Sequence, residues 1–150
     1  MSTVNADSLT HARLIALASP RHAPYGRAAQ EALQALGLWQ GLMDSQRLAI
    51  AESVGQAWHY AASGNADLAF VALSQVKAVA DKDGGQVSYW PVPAELYSPI
   101  VQQGVILAGS QQVPLARRFR SWLQTDPWVR AAITEAGYRL PPAGQENPRD

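Results

Sequence analysis

The sequence predicts an α/β protein built on a parallel sheet, and three observations predict it. Short apolar runs, "ARLIALAS" (12–19), "RLAIAES" (47–53) and "ADLAFVALSQV" (66–76), are nearly continuous, as in strands buried on both faces. Between them lie two stretches whose apolar residues recur at helical spacing. The connections are short, and strand, helix, strand in that order implies βαβ units.

Residues 1–11 are a polar N-terminal extension. The first strand follows and is closed by Pro20. "PYGRAAQEALQALGLW" then places Ala28, Ala32, Leu33 and Leu36 on one helical face. Proline stands near its first turn and Gly37 past its last, the usual order of helix start and stop signals. After the second strand, "SVGQAWHYAASG" (53–64) reads as a second helix, with Ser53 and Gln56 as a capping box and Gly64 as its stop. The run 66–76 is read as a third strand.

Residues 81–100, with paired glycines and three prolines, form a connecting segment. "VQQGVILAG" (101–109) reads as one more strand. "VPLARRFRSWLQT" and "DPWVRAAITEAGY" read as consecutive helices, the second capped by Asp126 with Pro127 at its first position. The tail 141–150 lacks apolar periodicity and is expected to be disordered. One strand and two helices cannot enclose a core of their own. Their apolar surface must meet the first body, a part not present in these residues, or another chain, and self-association through a homodimer is the expectation.

Composition narrows the function. The chain of 150 residues is 47% apolar and 16% charged, enough for a buried core. Acidic and basic residues balance at 12 each, which gives no reason to expect nucleic acid as a partner. With no cysteine, thiolate metal sites and cysteine nucleophiles are excluded. No run approaches a membrane span, and no secretory leader is evident, so the chain as written is cytoplasmic. No zinc-protease helix motif or serine elbow orders the hydroxyls, imidazoles and carboxylates, and an enzyme is not expected. His59, beside Trp58 and Tyr60, reads as a packed or half-exposed side chain; Trp122 and Trp128 read as packing residues, and "RRFR" (117–120) as a solvated face.

The two strand-to-helix junctions are alike. Pro24, Tyr25 and Gly26 open one helix; Ser53, Val54 and Gly55 open the other. In open α/β sheets ligands bind outside the carboxyl ends of the strands. The first amides of a helix lack intrahelical partners, and its dipole favours an anion there. A glycine at the third position of each would let a ligand approach closely. Ordinary βα turns look similar, so local pattern leaves both readings open.

Longer blocks add a resemblance. "SPRHAPYGRAAQEALQALGLW", "ESVGQAWHYAASGNADLAFVALSQV", "SYWPVPAELYSPIVQQGVIL" and "FRSWLQTDPWVRAAITEAGY" resemble, in order, the later part of a molybdate-binding protein of the ModA family. That family supplies the periplasmic substrate-binding component of molybdate ABC transporters. The resemblance implies a type 2 periplasmic-binding-protein fold. Residues 12–97 would be a near-complete second α/β lobe, and 98–140 the C-terminal part of an incomplete first lobe.

It further implies a molybdate or tungstate ligand, no cofactor, no membrane insertion, a periplasmic location and a transporter permease as partner. Its second-lobe donors carry over to the backbone N–H groups of Tyr25 and Val54, as ligands of the molybdate metal centre. Pro24, Gly26, Ser53 and Gly55 would support them. The family's opening first-lobe segment, with its hydroxyl ligands, has no counterpart here. The alternatives are a self-associating cytoplasmic anion sensor or an inactive fragment.

Overall fold

A computed structural model describes residues 4–83 and 87–140. The chain divides into two units, Met1–Val101 and Gln102–Asp150. In the first, β1 (Ile15–Ala18), β2 (Leu48–Ala51) and β3 (Leu68–Ala69) form a parallel sheet in the order β2-β1-β3. Ile15 pairs with both Leu48 and Leu68, and Ala16 with Ala49 and Ala69. Every residue of β1 is at most 1% exposed, as its central position and continuous apolar sequence require.

The two faces of this sheet have different chemistry. Ile15 lies in a cluster of large side chains with Leu33 of α2 (Pro24–Ala35), Leu42 of α3 (Trp39–Asp44) and Leu9 of α1 (Ala6–His11). Ala16, on the opposite face by the period of two, packs with Ala51, Ala66 and Ala57 of α4 (Val54–Ala62). Helices therefore cover both faces, the layered architecture expected of βαβ units. Small side chains let α4 lie close on the sheet, while leucines fill the space beneath α2.

The boundaries depart from expectation in four places. Residues 6–11 are not a bare extension: Asn5 and Ser8 form a capping box, and Leu9 joins the core. Arg47 then donates to the carbonyls of Thr10 and Ala12 at the end of α1, where a cation is favoured by the helix dipole. Helix α3 follows Gly37, whose φ of 70° ends α2. The Leu38 N–H donates back to the Leu33 carbonyl at 2.8 Å and turns the chain into α3.

The third strand is two residues long, and 73–76 belong to α5 (Leu73–Asp83). The Gln75 side chain accepts from the Ala72 N–H at 3.0 Å, and Ala72 and Val76 bury one turn apart. Local capping and a helical apolar spacing outcompete the ladder there. Residues 87–101 contain a single 3-10 turn, Ala94–Leu96. Ser98 N–H donates to the Glu31 carboxylate of α2 at 2.6 Å.

In the second unit α6 (Val113–Thr125) and α7 (Pro127–Glu135) form as predicted. Asp126 joins them: its N–H donates to the Trp122 carbonyl and its side chain accepts from the Val129 N–H, both at 3.0 Å. The strand expected over 101–109 does not form. Val101, Val105 and Leu107 are 72%, 85% and 70% exposed, and an extended segment without a ladder partner gains nothing from being a strand. Trp122 and Trp128, expected to pack, are exposed as well. Val129 is the core residue of this unit among the described residues. The tail expectation for 141–150 lies outside the described residues.

Candidate functional site

The Ser19 N–H donates to the Ala51 carbonyl at 2.7 Å, tying the end of β1 to the end of β2. From this shared edge α2 and α4 depart over opposite faces of the sheet. Tyr25 and Val54, and the four residues expected to support them, are thus placed at the carboxyl ends of two adjacent parallel strands.

The first start is built by a tight loop. The Ser19 carbonyl accepts from the N–H groups of His22 (3.2 Å) and Ala23 (2.9 Å), which folds Pro20–His22 back on the strand end. Ala23 is the N-cap, with extended backbone and no oxygen on its side chain to cap the first turn. Pro24 holds the next φ at a helical value without needing a partner for an N–H. Gly26 has a steric reason: a Cβ there would stand 2.1 Å from the Ala18 carbonyl oxygen. The absent side chain admits the chain's own strand, rather than leaving room for a ligand.

The second start is capped. Ser53 has extended backbone, and its Oγ accepts from the Gln56 N–H at 3.2 Å. The expected reciprocal bond goes one residue earlier, from the Glu52 N–H to Gln56 Oε1 at 2.7 Å. Gln56 Nε2 reaches on to the Tyr60 hydroxyl at 3.3 Å, fixing the side chain that fixes the turn. Ser53 therefore engages the third amide of α4 and not that of Val54. At Gly55 a Cβ would meet only Ser53 Oγ, at 3.8 Å, so this glycine leaves open space.

Beside both starts lies an open depression of about 460 Å³ lined by Ser19, His22, Ile50, Ala51 and Glu52. Ser19 and Glu52 escaped the sequence-based selection, which began at the helix starts; their signal is the position just before each turn. His22, open there to either solvent or ligand, lines the depression, while His59 is exposed on α4.

A second depression, of about 500 Å³, lies at the opposite, amino end of the strands, beside Arg13 and Asp67. There Asp67 accepts from the Arg13 guanidinium at 2.9 Å and from the Arg13 and Leu14 N–H groups. Those bonds hold its carboxyl below the usual carboxylate range. They join β3 to the start of β1, which is a structural role. Among the described residues no cluster of histidines and carboxylates could hold a metal ion.

A layered α/β unit with two helix starts at one edge of its parallel sheet has the architecture of a solute-binding protein. Residues 2–139 match the bacterial extracellular solute-binding protein family, and the chain belongs to it. Within that family it is similar to the molybdate-binding protein ModA of Rhodobacter capsulatus, at 40% identity over 83% of this chain and 46% of that protein. It is likewise similar to ModA of Azotobacter vinelandii, at 40% identity over 84% of this chain and 48% of that protein.

The solved periplasmic molybdate-binding protein of Azotobacter vinelandii superposes with a TM-score of 0.74 at 41% identity, over 87% of this chain and 55% of that one. The chain spans about half the length of the curated relatives it matches. Its fold is accordingly part of a ModA-type, type 2 periplasmic binding protein.

Proposed function

We propose that this chain binds molybdate or tungstate as a substrate-binding component of a molybdate ABC transporter, outside the cytoplasm and without chemical turnover. The observation that carries the reading is the placement of Tyr25 and Val54 at helix starts on adjacent strand ends, in a chain of the ModA type. Backbone N–H groups and helix dipoles can hold a tetrahedral dianion without a charged counter-residue. Tyr25 and Val54 supply those donors. Pro24 and Gly26 set α2 against its strand, and Ser53 and Gly55 shape and clear the start of α4.

Residues 98–140 belong, in this reading, to the other lobe of the binding protein, and the permease of the transporter is the protein partner. Exposure of Leu115, Phe119 and Trp122, spaced by four and three residues on α6, supports a second reading in which copies of this chain self-associate. With one lobe's donors alone, affinity is weak, because each charge-assisted hydrogen bond contributes about 1.5–3 kcal/mol.

Thermal unfolding with molybdate, tungstate, sulfate and phosphate tests the proposal, since a ligand of the native state raises the melting temperature with concentration. A rise with molybdate and tungstate supports it. No rise with either oxyanion, at concentrations to the millimolar range, removes it.

A further inference from the structure

The depression between the two helix starts holds an unusual neighbour for an anion. Its lining comes from two segments: Ser19 and His22 from the turn between β1 and α2, and Ile50, Ala51 and Glu52 from the end of β2. Glu52 is the carboxylate in that lining and His22 the titratable base; Arg21, next to His22 in the turn, is exposed. The Glu52 backbone is held by Gln56, so its side chain leaves from a fixed point beside Ser53.

The two groups act in opposite directions on any negative ligand. An ionised carboxylate repels an incoming dianion. An imidazole changes charge between pH 5 and 8, and attracts the dianion only when protonated. We infer that Glu52 and His22 regulate the oxyanion site by charge: Glu52 weakens binding of a doubly charged anion, and protonation of His22 restores it. This rests on the oxyanion reading above and adds a pH dependence that backbone amides, which do not titrate, cannot supply.

The magnitude follows from Coulomb's law. A unit charge about 8 Å from a dianion in water-like surroundings changes its affinity about sixfold at low salt, and less as salt screens it. Release of solute as pH rises would then be a property of this end of the sheet.

The test is a titration of the isotope-labelled chain with sodium molybdate, which keeps its two charges from about pH 6.5 to 8, followed through amide resonances at low ionic strength. Movement of the Tyr25 and Val54 amides reports the site itself. The expected result is affinity about threefold weaker at the higher pH. That dependence should vanish in His22→Gln, and Glu52→Gln should bind about threefold or more tightly than the native chain at the higher pH.

If those amides move but affinity ignores pH and Glu52→Gln alike, the charge regulation is overturned and the site stands. A pH dependence that survives in His22→Gln overturns the role of His22. If neither amide moves at any pH, the site and its regulation fall together.

Discussion

The two helix starts at the candidate site reach similar positions by different physics. Helix α2 begins without a side-chain cap and is held by contact, with Gly26 pressed against the carbonyl end of β1. Helix α4 begins with a hydrogen-bonded cap, Ser53 to Gln56 and Gln56 back to Glu52, and has free volume at Gly55. A glycine at the same position of two similar turns thus carries two meanings. At the first it is required by the protein's own backbone; at the second the space lies open beside the helix start.

That contrast breaks most readily at the glycines. Gly26→Ala places a methyl group 2.1 Å from the Ala18 oxygen, and neither backbone can yield without moving α2 off the sheet. A loss of about 3 kcal/mol is expected, read as a fall in the denaturant midpoint. Ser53→Ala removes the cap of α4 and costs about 1 kcal/mol in the same measurement.

Gly55→Ala has the opposite sign. The methyl group has room, and alanine gains about 0.4–1 kcal/mol over glycine in a helix. The same methyl narrows the approach to the Val54 amide, so stability rises while molybdate binding weakens; Gly55→Val weakens binding more than His59→Ala does. Equal stability losses in Gly26→Ala and Gly55→Ala would abolish the distinction between the two starts.

The smallest effect lies at the other end of the sheet, where charge takes the place of caps. Hydrogen bonds from Arg13 hold the Asp67 carboxyl lowered in the folded chain. Its stabilisation is therefore complete above the ordinary carboxylate pKa and drains away as pH falls below about 4, through the lowered value. Melting temperatures of the native chain and Asp67→Asn should differ slightly near neutrality and converge in acid. Both groups are exposed, so added salt should shrink the difference.

Much of the first unit was legible because its signals are local. The run around Ile15–Ala18, the stop at Gly37 and the cap at Ser53 each act within a turn or two of chain. The misread elements depended on distant partners. The segment 101–109 has strand composition, but a strand needs a ladder beside it, and Val105 and Leu107 meet none. Leu9 is core because Arg47, far along the chain, receives the end of α1. The stretch 73–76 reads as apolar in either period, and the Gln75 side chain decided for helix.

For the candidate site the division is similar. The sequence by itself determined the two helix starts, their order after strands, and hence that Tyr25 and Val54 open helices at strand ends. These follow from turn chemistry and apolar spacing, which any chain carries in its neighbours. Only the tertiary structure decided that β1 and β2 are adjacent, that α2 and α4 leave over opposite faces, and that His22 and Glu52 border one depression. Those are relations between residues thirty apart in the chain, and they are set by how two faces of one sheet, leucine on one side and alanine on the other, are covered.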